Sequence, residues 1–121
     1  MIFLPYPPAL NRYYRHFRGA TVISGEGKAW KRFAALQAKA SGMRPIDGAV
    51  SVILILHPKT KKDGTASKVR MDLDGCIKAA LDALNGIAYI DDRFIERILV
   101  ELGNPVDGGG LSVEVRAIRE D

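Results

Sequence analysis

The chain has 121 residues, a length that fits one domain spanning 1–121 and that suffices to bury a core without disulfides or a structural metal. Its one cysteine, Cys76, excludes an internal disulfide, and a reducing cytoplasm is the expected compartment. No apolar run is long enough to span a membrane, and the N-terminus lacks a signal-peptide pattern. We therefore expect neither a membrane protein nor a secreted one.

The charge is unevenly distributed along the chain. Residues 1–70 carry 13 Lys and Arg against 3 Asp and Glu, a balance of +10, whereas residues 71–121 carry 5 against 11, a balance of −6. Together they give the net charge of +4. A basic half is typical of a protein that binds a polyanion. An acidic cluster inside such a protein would repel nucleic acid unless a cation neutralises it, so the pattern favours a metal-dependent nuclease. A soluble protein with an uneven surface charge would show the same pattern.

The N-terminal third predicts an edge strand, a polyanion contact and a helix. Residues 1–4 are apolar and stop at a proline-rich segment. Residues 11–18 mix aromatic and basic side chains, which suits phosphates and unstacked bases, although tyrosines packed on the core with solvated arginines would give the same pattern. The candidate DNA contacts here are Asn11, Arg12, Tyr14 and Arg15. A short strand at 21–23 follows.

Ser24 is the expected N-cap of a helix that runs to about Ala40. The inward stripe is predicted to comprise Trp30, Phe33, Ala34 and Gln37. The basic face of this helix is either solvated or a second DNA contact, and its candidates are Lys28, Lys31 and Arg32. Residues 49–56 have the pattern most typical of a β-strand in this chain. Because apolar residues occur on both faces, we expect a central strand that is covered on two sides.

A long basic loop, 57–70, leads into the acidic cluster. Loops of this length are usually functional or disordered, and we expect this one to order on a phosphate backbone. Its candidate DNA contacts are Lys59, Lys61, Lys62, Lys68 and Arg70.

The acidic cluster comprises Asp72 and Asp74, with the pair Asp91-Asp92 further along the chain. Close carboxylates repel each other, and a hard divalent ion such as Mg2+ relieves that repulsion. Lys78 lies four residues after Asp74, one helical turn away, where it could stabilise developing negative charge. The alternative is ordinary surface acids, with Asp74 as a helix N-cap and Lys78 as its salt-bridge partner.

The remaining elements complete an α+β fold. A helix is expected from Asp74 to about Asn85, then a short strand at 87–90. Strands at 94–102 and 111–117 flank a glycine-rich turn, so we expect them to form a hairpin. The predicted architecture is a mixed, mainly antiparallel sheet with about two packed helices.

Among the chemistries available, metal-assisted phosphodiester hydrolysis fits the acidic cluster best. An EF-hand would need an acidic residue at position 70 and a glutamate at position 81. This chain has Arg70 and Leu81 there, so the segment is not predicted to be an EF-hand. No Ser–His or Cys–His pair suggests acyl transfer. A phosphatase acting on small phosphate esters remains an alternative, although so basic a surface is unnecessary for a small substrate.

The motifs resemble those of the RusA-like Holliday junction resolvases, a family found largely in prophages. The matching stretches are Asn11-Arg12-Tyr13-Tyr14-Arg15-His16, the run from Arg70 through Asp72, Asp74, Lys78 and Asp82 to Leu84, and Asp91-Asp92. The resemblance implies an α+β homodimer that requires Mg2+, with Mn2+ able to substitute. It would bind four-way junction DNA in recombination and repair and make paired symmetric nicks that leave 5′-phosphates.

The resemblance also implies roles for individual residues. Asp72, Asp74 and Asp92 would be catalytic metal ligands with Asp91 in support, and Lys78 would be the catalytic lysine; the residues alone do not decide between Asp91 and Asp92. The family usually has Asn after Asp-Leu-Asp, where this chain has Gly75, which puts metal affinity or rate at risk. A catalytically weak, junction-binding structural protein is therefore the alternative. Cleavage-site preference, the number of metals and the dimer interface are not predicted.

Overall fold

The computed structural model describes residues 1–118. Its strands, numbered in chain order, are β1 (Ile2–Leu4), β2 (Tyr14–Phe17), β3 (Ala20–Ile23), β4 (Val50–His57), β5 (Ile95–Leu102) and β6 (Gly110–Ala117). Its helices are α1 (Leu10–Tyr13), α2 (Gly25–Ala40) and α3 (Ile77–Leu84), with 3-10 turns at Leu73–Cys76 and Asp92–Phe94. None of the helices within these residues is long and apolar enough to cross a membrane.

The main sheet is built around β4. Its four strands have the order β1-β6-β4-β5, in which β4 runs parallel to β5 and antiparallel to β6. β1 pairs antiparallel with β6 at the edge, and β2 and β3 form a separate antiparallel hairpin. The predicted α+β class, with a mixed and mainly antiparallel sheet, is confirmed.

The prediction that the last two strands form a hairpin is wrong, because β4 lies between them. The chain that leaves β5 runs along the end of β4 instead of turning back. Gly103 N–H donates to the carbonyl of Leu56 at 2.8 Å, and Val106 N–H donates to that of Pro58 at 2.9 Å. The connection therefore crosses the end of β4 and places β6 on the opposite edge of that strand.

One face of the sheet carries the core. The residues of β4 that point to this face, Val50, Val52, Leu54 and Leu56, are fully buried, whereas the alternate residues are only half-buried. The buried side chains of α2 and α3 belong to the same cluster as these four. The expectation that β4 is covered on both faces is therefore wrong, and its apolar second face is partly open to solvent.

The start of α2 follows the predicted cap. The Ser24 hydroxyl oxygen accepts from Gly27 N–H at 2.9 Å, and the helix runs to Ala40 as expected. Gly27 is required by packing, because a Cβ there would lie 2.5 Å from the carbonyl oxygen of Tyr13. This contact draws α2 close to α1.

The inward stripe of α2 differs from the predicted one. Its buried residues are Gly27, Trp30, Ala34 and Ala38. Phe33 and Gln37 are exposed, so their assignment to the stripe was wrong, whereas that of Trp30 and Ala34 is confirmed. The buried stripe therefore runs along the helix face that contains Gly27, and Phe33 lies outside it.

The acidic segment folds as a 3-10 turn before α3 begins. Asp74 lies inside the turn Leu73–Cys76, so it is not the N-cap that was expected. Asp72 takes the flanking position, but its side chain makes no capping hydrogen bond.

The predicted strand at 87–90 is a buried turn. Ala88 N–H donates to the carbonyl of Leu84, and Gly86 N–H donates to that of Tyr89, both at 2.9 Å. Ile87, Ala88 and Tyr89 are buried, which accounts for the apolar pattern that resembled a strand.

The basic loop between β4 and the acidic segment is folded, contrary to the expectation of disorder. Lys61 N–H donates to the carbonyl of Thr65 at 2.7 Å, and Ser67 N–H donates to that of Lys59 at 2.8 Å. Asp63 secures the tip by accepting from the Thr65 N–H and hydroxyl, and these bonds hold the pKa of its carboxyl below the usual value. The loop thus presents its lysines from a small ordered hairpin.

Candidate active site

Asp72 and Asp74 open into one cavity of ≈ 370 Å³. Asn11 and Arg70 line the same cavity, so these two residues border the same space as the two aspartates. Both carboxylates are exposed, and among the hydrogen bonds and ion pairs of residues 1–118 none involves either of them. Neighbouring carboxylates without partners repel each other, and a bound cation relieves that repulsion.

Backbone hydrogen bonds hold this acidic segment in place. The Tyr6 hydroxyl accepts from Met71 N–H at 3.0 Å, which ties the segment to the proline-rich N-terminal stretch. Gly75 N–H donates to the carbonyl of Asp72 at 2.9 Å and closes the 3-10 turn. The turn, rather than a regular α-helix, therefore sets the relative position of the two carboxylates.

Cys76 follows Asp74 by two residues, but it is not a nucleophile. Its thiol is fully buried and donates to the carbonyl of Leu73 at 3.1 Å. Burial, with a smaller contribution from the charge of Asp74, raises the pKa of this thiol to about 11. The thiol is thus protonated at neutral pH, whereas the thiolate is the reactive form.

Lys78 is paired with Asp82 rather than with Asp74. Its Nζ lies 3.2 Å from Asp82 Oδ1, and the Tyr13 hydroxyl donates to Asp82 Oδ2 at 3.2 Å. The hydrogen bond and charge of Asp82 raise the pKa of Lys78, and the charge of Asp92 adds a smaller effect. Sequence reasoning assigned no role to Asp82, although its spacing of four residues from Lys78 on one helix was a usable signal.

Asp91 and Asp92 have different environments. Asp91 Oδ1 accepts from Arg93 N–H at 3.0 Å and so caps the 3-10 turn that leads into β5. This hydrogen bond is the main reason why the pKa of Asp91 lies below its usual value. Asp92 is exposed, and its charge makes a small contribution to the raised pKa of Lys78.

The carboxylates suit one mode of metal binding and not another. Within the part of the chain that is described, no group of three or more His, Cys, Asp or Glu side chains is close enough to enclose an ion. An all-protein cage therefore does not fit. Mg2+, however, usually keeps several waters and binds through one or two carboxylates plus substrate phosphates, and Asp72 with Asp74 fits that mode.

Comparison with known proteins assigns this chain to a family. The family model described as Endodeoxyribonuclease RusA matches residues 5–116. This chain belongs to that family.

Relatives cover almost the whole RusA-family chain. The crossover junction endodeoxyribonuclease RusA of Escherichia coli O139:H28 (strain E24377A / ETEC) is 33% identical over 121 residues, 99% of this chain and 96% of the relative. That of Escherichia coli (strain K12) is 37% identical over 113 residues, and that of Enterobacteria phage 82 is 38% identical over 113 residues. Each of these two alignments covers 90% of this chain and 86% of the relative.

The predicted DNA contacts of this RusA-family chain fall into separate places. Asn11 and Arg70 share the cavity of the carboxylates, and Arg70 also lines a second cavity together with Arg12 and Lys59. Tyr14 and Arg15 line a third cavity, at the β2–β3 hairpin. The remaining candidates line none of these cavities: Lys28, Lys31 and Arg32 on α2, and Lys61, Lys62 and Lys68 on the basic loop.

Phe17, at the tip of the β2–β3 hairpin, belongs to the aromatic and basic stretch 11–18 but was not among the named candidate DNA contacts. Its ring is 48% exposed, and the guanidiniums of Arg15 and Arg18 lie 5.1 Å and 5.2 Å from the ring centroid. Arg18 and Gly19 both have positive φ, as a tight two-residue hairpin turn requires. An exposed aromatic ring between two cations suits contact with bases and phosphates of a nucleic acid.

Proposed function

We propose that this RusA-family chain is a Mg2+-dependent DNA endonuclease that resolves four-way junctions. The observation that carries the proposal is the shared cavity of Asp72 and Asp74, whose carboxylates lack partners among residues 1–118 and lie beside Arg70 and Asn11. Membership of the family supports it, and so do the names of relatives that cover nearly the whole chain.

Each residue of the site has a role in this proposal. Asp72 and Asp74 would hold Mg2+, and Asp91 would fix the turn that carries Asp92, the third ligand that the family resemblance implies. The ion, when bound, polarises the scissile phosphate and lowers the pKa of a water molecule. Mn2+, another cation suited to oxygen ligands, would substitute.

The cationic groups act on the phosphate. Lys78 would neutralise negative charge that develops on the phosphate oxygens, an effect that is strong in a preorganised site. Asp82 positions Lys78 through its 3.2 Å ion pair, and Arg70 would orient the backbone from the cavity wall.

The substrate supports a homodimer as the active form. A four-way junction has two-fold symmetry, and two symmetric nicks require two sites related in the same way, which a closed dimer provides. Each chain would then cut one strand, and both nicks would leave 5′-phosphates.

The decisive experiment uses an end-labelled synthetic four-way junction, with and without Mg2+. We expect paired, symmetric nicks that depend on the metal, whereas single strands and plain duplex of matching sequence stay intact. Equal cutting of the duplex would contradict structure selectivity. Failure to bind the junction at all would contradict the proposed substrate.

A second candidate function is a junction-binding protein with little catalysis. One observation favours it, because residues 1–118 assemble no set of three metal-ligating side chains. Gly75, where the family resemblance implies an asparagine, points the same way. The same assay separates the two functions. Tight junction binding without nicking at any Mg2+ or Mn2+ concentration would establish the structural role.

A further inference from the structure

A larger cavity lies directly beside the carboxylates. Its volume is ≈ 590 Å³, within the range of pockets that enclose small molecules. Ala9, Arg70 and Met71 line both this cavity and that of Asp72 and Asp74, so the two spaces adjoin across one stretch of backbone. A group bound in the larger cavity would therefore lie next to a phosphate held at the carboxylates.

The apolar wall of the cavity is preformed. Trp30 is only 8% exposed, and its indole N–H donates to the carbonyl of Pro5 at 3.1 Å, which fixes the ring. Pro7 is buried, and Tyr6 is held by its hydrogen bond with the backbone of Met71. Fixed aromatic and apolar groups of this kind form the pockets in which proteins enclose an unstacked base.

The rim of the cavity is cationic. Arg12, Lys59 and Arg70 line it, whereas Glu26 is its one carboxylate among residues 1–118. Glu26 Oε2 lies 3.2 Å from Arg12 Nε and balances that charge. Lys59 and Arg70 remain without a carboxylate partner among the ion pairs of residues 1–118, and Lys59 Nζ lies 5.4 Å from the centroid of the Tyr6 ring. The rim therefore attracts phosphate while the floor accepts an apolar or aromatic surface.

From this combination we infer that the cavity binds one unstacked nucleotide of the DNA, adjacent to the phosphate that is cut. The inference rests on the proposed function. It explains how a single site can prefer a branched substrate. Removing a base from an intact duplex costs a few kcal/mol, and the cost is least where pairing or stacking is already interrupted, as at a branch point.

The test places 2-aminopurine, a base whose fluorescence reports unstacking, at each position within two nucleotides of the cut. The cut is first mapped with Mg2+, and binding is then measured without divalent ions. We expect the emission to change at one position when the junction binds and at none in the matched duplex. If the junction is bound and cut but no position responds, the nucleotide pocket is overturned while the endonuclease stands.

Two matched variants separate the pocket from general electrostatics. Val69 is 87% exposed and lines the cavity, and Leu99 is 46% exposed and lines a different one of ≈ 460 Å³ beside Arg97. Val69→Glu should weaken junction binding at least about fivefold, the lower end of the affinity that one stacked base contributes, and should abolish the emission change. Leu99→Glu introduces the same charge and should alter neither. Equal losses in both variants would overturn the inference.

Discussion

At the scale of single residues, the acids of this site differ in whether their oxygens are already used. Asp91 accepts a backbone N–H, whereas Asp72 and Asp74 have no partner within residues 1–118. A carboxylate that stabilises a turn is constrained by that role, while an unpartnered one is free for a cation. This difference supports Asp72 and Asp74 as the core of the metal site, with Asp91 in support.

Replacing either unpartnered carboxylate tests this assignment. Asp72→Asn or Asp74→Asn should reduce nicking by more than about a hundredfold, since even groups that only support a ligand contribute 10- to 100-fold. Junction binding should persist or tighten, because a negative charge is lost.

The measurements are a cleavage time course and a gel-shift titration. Asp47→Asn, an equal charge change at an exposed aspartate outside the cavity, is the control. Normal cleavage by both site variants would refute the assignment.

Gly75 leaves room for the asparagine that the family resemblance leads us to expect at this position. A Cβ added there would meet only Met71 Cβ, at 3.9 Å, and the backbone is not in the left-handed region. Gly75→Asn should therefore stabilise the fold by about 0.4–1 kcal/mol through reduced freedom of the unfolded chain. It should also tighten Mg2+ binding, because the amide oxygen would enter the carboxylate cavity.

Calorimetry with Mg2+ and thermal unfolding would measure the two effects of Gly75→Asn. Gly25→Asn is the matched control, because its added Cβ also meets open space but lies at the start of α2, outside that cavity. Equal gains in Mg2+ affinity for both variants, or none for Gly75→Asn, would contradict the role of residue 75 in metal binding.

At the scale of elements, α3 holds the lysine of the site by an ion pair within the helix. Asp82 raises the pKa of Lys78, so Asp82→Asn should lower it, while the charge of Asp92 continues to act. If the protonated lysine is the active form, the fall in nicking rate at alkaline pH should move to lower pH. A rate–pH profile measures this shift. Glu114→Gln, which breaks the 2.9 Å surface pair with Arg116 on β6, should leave the profile in place.

The β2–β3 hairpin makes a second prediction at this scale. Phe17→Ala should weaken DNA binding by about 1–3 kcal/mol, or five- to 150-fold, because one aromatic stacking platform is lost. Phe33→Ala removes a ring of similar exposure, 54% against 48%, from α2 and is the control. Fluorescence anisotropy with labelled junction DNA would compare the two. Similar affinities for both variants and the original chain would exclude the hairpin tip from the interface.

At the scale of the whole molecule, the burial of two tyrosines predicts that the folded state loses stability at alkaline pH. Burial is the main cause that raises the pKa of Tyr13 and of Tyr89 above the ordinary 10.0, and nearby aspartates add to it. The folded state therefore keeps two protons that the unfolded state loses above pH 10. Stability is complete below that pH and should fall above it by about 1.4 kcal/mol per pH unit for each tyrosine.

Urea unfolding at a series of pH values would test the alkaline loss. Tyr13→Phe should reduce the slope of stability against pH by about half. It should also lower the stability at neutral pH by roughly 1 kcal/mol, because the hydrogen bond to Asp82 is lost. An unchanged slope in that variant would show that Tyr13 titrates alike in both states.

The elements that could be predicted from the sequence are those whose ends are determined by nearby residues. β4 and α2 were predicted nearly to their ends, because Gly48 and Pro58 bound a β-branched run and Ser24 caps a helix. The neighbours of β6 could not be predicted, since its alternating pattern suits pairing with either of two strands. The alternative pairing of Lys78 with Asp74 was wrong because a 3-10 turn changes the angular phase before α3, so spacing alone misplaced Asp74.

The parallel pairing of β4 and β5 has an evolutionary consequence. Parallel neighbours need a long connection, and here it is the stretch from His57 to Ile95, which contains the basic loop, the acidic segment and α3. Doubling the length of a flexible loop costs only about 0.6 kcal/mol, so the loop tip near Asp63 can gain or lose residues while the sheet keeps its register. Since we propose that the basic loop contacts the DNA, changes in its length could alter substrate preference without changing the sheet that carries it.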